Sequence, residues 1–203
     1  MPKIAVERLV VGELAVNCYI VENTESRECF IVDPGAEARR IILAVGERRV
    51  RAVLLTHGHY DHIGAVDEIC AHYGVPVYVH EGDAAKLSDA AANVSALFGE
   101  PLTQHTRPQP VEEGKLLLAG IELEVLHTPG HSNGCICCLL PDGQGILTGD
   151  TLFAHGYGRT DFADGDFTRL HQSLRRLFRL TPRMIAYPGH DVPGLVGRDP
   201  VGE

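Results

Sequence analysis

Short apolar runs recur along the chain, divided by Gly, Pro, Asn and Asp, and two stretches change to a helical spacing. Lys3 to Val11, Val16 to Glu22 and Cys29 to Asp33 are rich in β-forming residues and end at turn formers such as Gly12 and Asn23, which predicts an antiparallel meander. Ala36 to Val45 then carries Ile41, Ile42 and Val45 on one helical stripe. Arg51 to Leu55 is an expected strand. After it Ile63, Val66, Ile69, Cys70 and Tyr73 keep helical spacing up to Gly74, and Val75 to Val79 is a further strand. Strand and helix thus alternate through the first half, which places the fold in the α/β class. Short helices are expected at Glu81 to Leu87 and Ala90 to Leu97, and Pro101, Pro108 and Pro110 mark a surface loop beyond them. In the second half Lys115 to Ala119 and Ile121 to Leu126 flank Gly120 as a hairpin, and Cys135 to Leu140 and Gly145 to Leu147 flank the turn Pro141-Asp142-Gly143. Asp166 to Phe178 shows a helical stripe of Phe167, Leu170, Leu174, Leu177 and Phe178, and Arg183 to Tyr187 is the last strand.

Chemistry gathers where these apolar runs stop. Thr56-His57-Gly58-His59-Tyr60-Asp61-His62 follows Val53-Leu54-Leu55 directly. In extended chain, residues two apart point the same way, so His57, His59 and Asp61 are expected on one side of the strand's end, while His62 opens the following helix. Imidazoles suit zinc, iron and manganese, and a carboxylate suits the harder of these ions. The same arrangement returns at His131, Asp150 and His190, each just past an apolar strand. Five His and two Asp suffice for two metal ions sharing one carboxylate, a site that can hold a bridging hydroxide. A His-rich surface loop is the alternative reading of the first cluster.

Composition narrows the classes. The 203 residues are enough for one layered domain spanning 1–203, and 44% hydrophobic with 22% charged residues is ordinary for a soluble globular protein. A formal net charge of -9 argues against a nucleic-acid surface. Met1 to Arg8 lacks the apolar core of a signal peptide, no run reaches membrane-spanning length, and six Cys without export point to reduced thiols in the cytoplasm. Cys135-Ile136-Cys137-Cys138 offers a C-x-x-C spacing, but inside an expected buried strand these read as small hydrophobes. His72, His80, His105 and His171 have no ligand-like companion, His127 reads as a residue of the core or behind the ligands, and His155, in the Gly-rich loop after Asp150, is a candidate for the pocket wall.

The cluster Thr-His-x-His-x-Asp-His, then Thr128-Pro129-Gly130-His131-Ser132, Gly149-Asp150-Thr151-Leu152-Phe153 and Pro188-Gly189-His190, in this order, resembles the metallo-β-lactamase superfamily. That resemblance implies a four-layer αβ/βα sandwich with two divalent metal ions, zinc or else iron or manganese, at the mouth between two sheets. One ion would take His57, His59 and His131, the other Asp61, His62 and His190, with Asp150 bridging them and Asp33 supporting the site from behind. Within the superfamily, Asn17-Cys18-Tyr19 and Gly158-Arg159-Thr160-Asp161-Phe162 with Gly165-Asp166 are similar to glyoxalase II, the hydroxyacylglutathione hydrolases. Full-length members bind glutathione partly through a C-terminal helical domain, whereas this chain ends thirteen residues after His190.

The expectation is therefore a dinuclear hydrolase of a small-molecule thioester such as S-lactoylglutathione, with Asp61 as both ligand and catalytic group and no nucleic-acid or membrane partner. A thiolate leaves readily, so no dedicated acid is needed. His155, Tyr157 and Arg159 are candidates to receive the substrate, although Arg159 can equally pair with Asp161 or Asp164. The alternative, also by resemblance, is a mononuclear iron persulfide dioxygenase in which His57, His131 and Asp150 hold one iron.

Overall fold

In the computed structural model, which describes residues 3–181 and 183–196, the chain forms two six-stranded sheets laid face to face. The first holds β1 (Ile4–Val11), β2 (Val16–Asn23), β3 (Glu28–Val32), β4 (Arg49–Leu54), β5 (Val77–His80) and β6 (Gln109–Val111) in that spatial order. β1, β2 and β3 pair antiparallel, as the meander predicts, and β3 to β6 run parallel. The helices between the parallel strands are α1 (Ala38–Val45), α2 (Tyr60–Ile63), α3 (Val66–Tyr73) and α4 (Glu81–Ala84). The second sheet has the order β12-β11-β10-β9-β8-β7, built from β7 (Gly114–Leu118), β8 (Ile121–His127), β9 (Ile136–Leu139), β10 (Ile146–Gly149), β11 (Ile185–Pro188) and β12 (Gly194–Leu195), with α5 (Phe167–Leu180) outside it.

Alternation along the strands sorts the apolar residues into three cores. Phe30, Val32 and Leu54 point from the first sheet towards Ile121, Leu123, Val125, Ile136 and Cys138 of the second, and this shared core binds the sheets together. On the other face of the first sheet Cys29, Ile31 and Val53 pack under Ile41 and Val45 of α1 and under Ile63, Val66 and Ile69. Behind the second sheet Leu126, Cys137 and Ile146 meet Leu170, Leu174 and Leu177 of α5. The order of layers is helix, sheet, sheet, helix, which is the expected four-layer sandwich.

Three local expectations are corrected. The helix expected to run on from His62 breaks at Gly64-Ala65, where Gly64 lies so close to Gly35 that a Cβ would stand 2.2 Å from the Gly35 carbonyl oxygen. Ala90 to Leu97 forms no α-helix, only a 3₁₀ turn at Ser95–Phe98. Phe167, placed on the buried stripe of α5, is 53% exposed at the helix's first turn. All six Cys are free and buried, in keeping with the reading of Cys135, Cys137 and Cys138 as small hydrophobes of a buried strand. Among the described residues no helix is long and apolar enough to cross a membrane.

Candidate metal centre

The loops at one end of the sandwich bring the expected ligands together. β4 stops at Leu54, and Leu55 to Gly58 cross towards the second sheet, where the Thr56 carbonyl accepts from Ile136 N–H at 2.9 Å. His59 then precedes the single turn of α2, so Asp61 and His62 are helical. This overturns the expectation that His57, His59 and Asp61 share one side of a strand end. Helical geometry brings Asp61 and His62 towards His190, while the His62 ring stays against His57 with ring centres 4.1 Å apart.

Two groups result. Ligand atoms of His57, His59 and His131 lie within 4.8 Å of one another, and so do those of Asp61, His62 and His190. His59 Nδ1 stands 2.9 Å from His131 Nε2, and Asp61 Oδ2 stands 3.2 Å from His190 Nε2 and 3.6 Å from His62 Nε2. Asp150, the first residue after β10, lies between the groups. Its Oδ1 is 3.5 Å from His62 Nε2, and its Oδ2 is 3.5 Å from His131 Nε2 and also from His190 Nε2. Gly189 permits this approach, since a Cβ there would sit 2.2 Å from Asp150 Oδ1 and 2.7 Å from the His62 ring.

Each imidazole is aimed by what its other nitrogen meets. His62 Nδ1 donates to Asp33 Oδ2 at 3.0 Å, His131 Nδ1 to the Arg159 carbonyl at 2.7 Å, and His190 Nδ1 to the Leu14 carbonyl at 3.0 Å. Asp33 is fixed in turn, accepting from the Thr56 N–H at 2.8 Å and the Thr56 hydroxyl at 2.6 Å. Asn17 and Tyr19 hold the His190 loop through the Pro188 carbonyl, at 2.8 and 2.7 Å.

The electrostatics fit cations. Burial, followed by crowding from His62, His59 and His131, holds His57 well below the usual histidine range; burial, His131 and Lys86 do the same for His59. Both are therefore neutral and offer lone pairs, the form a metal requires. Burial acts downward on His62 as well, but the Asp61, Asp150 and Asp33 carboxylates outweigh it and push His62 up to about 10. Asp61 is half-buried, and although desolvation acts upward, His62 and His190 hold it well below the carboxylate range. Protons on these imidazoles balance a surplus of negative charge. Three buried atoms, His57 Nε2, His62 Nε2 and Asp150 Oδ1, have no hydrogen-bond partner. Orphaned polar atoms are costly, and here they converge with the donor set of a divalent ion.

A model of the Metallo-beta-lactamase superfamily matches residues 11–190. The chain belongs to the metallo-β-lactamase superfamily. A probable metallo-hydrolase of Bacillus subtilis is 35% identical over 90% of this chain and 88% of its own. The hydroxyacylglutathione hydrolase GloC of Haemophilus influenzae is 34% identical over 96% and 94%. Among solved structures, BLEG-1, a B3 metallo-beta-lactamase, superposes with a TM-score of 0.91 at 32% identity, covering 97% of this chain and 98% of that one. TTHA1623 in a di-iron-bound form gives 0.85 at 32%, covering 96% and 98%.

The superfamily's mouth between the sheets is here a cavity of about 380 Å³, lined on one side by His59, Asp61, His131, Asp150 and His190. Of the three residues expected to receive substrate, only Arg159 lines it. Its guanidinium is engaged by Asp161 at 2.6 Å through both Nε and Nη2, and lies 4.4 Å from the Phe162 ring centre. His155 does not line the cavity: its side chain is 81% exposed and pairs with Asp191 at 3.0 Å. Tyr157 likewise turns away to pack on Phe167. His127 is half-buried; it stacks on His80 with ring centres 4.1 Å apart and its Nε2 donates to the Asn133 carbonyl at 2.9 Å, in the loop of His131.

Two residues invisible as functional in the sequence complete the centre. Asp83 is fully buried and accepts from Gly58 N–H at 2.8 Å, Gly134 N–H at 2.7 Å and the Ser132 hydroxyl at 2.7 Å. It ties the loop of His57 and His59 to that of His131. Lys86, also buried, pairs with Asp164 at 2.8 Å and sets its ammonium 3.4 Å from His59 Nε2. Neither lies near the cluster in sequence, so no spacing signals them.

Proposed function

We propose that this chain is a dinuclear metal-dependent hydrolase of a small-molecule thioester, of the hydroxyacylglutathione hydrolase type. His57, His59 and His131 would hold one ion, and Asp61, His62 and His190 the other. Asp150 would serve both, and the observation that carries the reading is its carboxylate, poised between the two groups with Oδ1 unpartnered. The GloC relative, alike over nearly the whole of both chains, supports the thioester, and the di-iron neighbour supports two metals.

Two bound divalent ions would supply hydroxide at neutral pH and polarise an ester carbonyl. The side chains do the positioning. Asp61 stays ionised and is too weak a base to keep a proton at neutral pH, so its part is to orient a water at the cavity wall. Asp33, Asp83 and the carbonyls of Leu14 and Arg159 keep the imidazoles aimed, so little reorganisation is needed at reaction. The departing thiolate, with a thiol pKa of about 8.5, needs no proton donor.

The test is metal analysis of the purified protein beside two assays, S-lactoylglutathione hydrolysis and oxygen uptake with glutathione persulfide. Close to two metals per chain with hydrolysis is expected. One iron per chain, oxygen uptake and no gain on adding zinc would replace this reading by the persulfide dioxygenase.

A further inference from the structure

Apart from the metal ligands and from Gly158 and Arg159, the lining of the cavity is apolar: Leu14, Tyr60, Val94, Phe98, Phe153 and Phe162. Phe162 leans edge-on against His59 at 5.3 Å between ring centres, Phe153 against His190 at 6.1 Å, and Tyr60 lies 5.3 Å from Phe98. Phe98 and Leu14 remain 54% and 47% exposed, so the apolar surface continues out to the rim. Large aromatic side chains left bare around a reaction centre are uncommon unless something covers them in use.

Charge points the same way. Among the described residues one Arg and no Lys line the cavity, and that Arg159 is paired with Asp161. Beyond Leu14, Tyr60, Asp61 and Phe98 the cavity continues into a second one of about 530 Å³, whose further charged residues, among those described, are Glu13 and Glu100. Among the described residues a ligand carrying carboxylates or phosphates would meet Glu13 and Glu100 there and no Lys or Arg.

From this we infer that the substrate's non-reacting half is an uncharged aromatic or branched aliphatic group, seated between Phe162 and the Tyr60–Phe98 pair. The inference rests on the hydrolase reading and narrows it: the preferred thioester is apolar and neutral, and the glutathione moiety, with two carboxylates and one ammonium, is not what this wall selects. Phe98 and Phe162 are the specificity-determining residues.

Thioethers, which the enzyme cannot cleave, separate binding from turnover. The zinc-loaded full chain is titrated calorimetrically with the S-methyl and S-benzyl thioethers of N-acetylcysteamine and with S-benzylglutathione. The benzyl group should tighten binding of the neutral compound about tenfold or more over methyl. The glutathione compound should bind no better than its neutral benzyl counterpart. Phe98→Ala and Phe162→Ala should each remove much of the benzyl advantage, with melting curves confirming that the variants are folded. A missing benzyl advantage, an advantage that survives both variants, or tenfold tighter binding of S-benzylglutathione would overturn the inference. The matching thioesters are assayed in parallel. Benzyl-dependent binding without hydrolysis of any of them would leave the apolar selection standing and refute the hydrolase reading instead.

Discussion

Asp83 offers the sharpest energetic test of how the centre is held. Its buried carboxylate is the acceptor for two backbone N–H groups, of Gly58 and Gly134, and for one hydroxyl. Asp83→Ala leaves both N–H groups without a partner in a site closed to water. The Ser132 hydroxyl can turn to Cys135 Sγ, 3.1 Å away, and Lys86 keeps Asp164, so neither adds much. At about 1–3 kcal/mol for each orphaned donor, the variant should lose about 2–6 kcal/mol. With a urea slope of about 2 kcal/mol per molar, the midpoint should fall by about 1–3 M. Asp83→Asn keeps the volume and one acceptor oxygen, and should lose roughly half as much. Gly58 separates His57 from His59, and Gly134 belongs to the loop of His131, so metal affinity at that group should also drop by about 10–100-fold. Urea titration of the metal-free proteins and zinc titration of the folded ones measure the two effects. A stability loss under about 1 kcal/mol, with unchanged zinc affinity, would refute the role given to Asp83.

Three further outcomes are expected. Asp150→Ala should lose both metals together, because one carboxylate faces both groups; tight retention of either metal, seen by mass spectrometry, would remove the bridging assignment. In the metal-free protein His62 titrates at about 10, above its ordinary 6.5, so its ion pairs stabilise fully below pH 6.5 and are lost as pH rises through about 10. A cation must displace that proton, so zinc affinity at the Asp61–His62–His190 group should rise at least about tenfold per pH unit between pH 7 and 8.5; a flat calorimetric response would contradict this. His155→Ala, which removes only an exposed ion pair, should change stability by less than about 0.5 kcal/mol and leave turnover intact; a large fall in kcat/KM would return His155 to the site.

Periodicity proved most informative where one element faces one core. α1, α5 and the antiparallel strands of both halves lie where their apolar residues place them. β6 escaped because Pro110 argues against a strand, yet β6 is an edge strand, where a missing N–H is tolerated. β12, at two residues, is too short to leave a pattern. In the site, strand-end placement picked out His57, His59, His131, Asp150 and His190, since each loop is fixed by the strand before it. Asp61 was misplaced because the helix begins at Tyr60 rather than at His62, and spacing alone does not locate that turn; His62 is helical as expected. Asp83 and Lys86 gain their meaning from contacts 25 to 78 residues away in the chain, such as Asp83 with Gly58 and Lys86 with Asp164. The Arg159–Asp161 pair, by contrast, is local and was legible.

His190 gives the most direct test of a two-metal centre, because it stands at 3.2 Å from Asp61 and 3.5 Å from Asp150 while keeping clear of the His57–His59–His131 group. Metal content per chain is measured for wild type and His190→Ala under identical loading, with thioester turnover on the same samples. The expected result is a fall from about two metals to about one, with most hydrolysis lost and the metal at the three-histidine group retained. Unchanged stoichiometry together with unchanged hydrolysis would contradict the account.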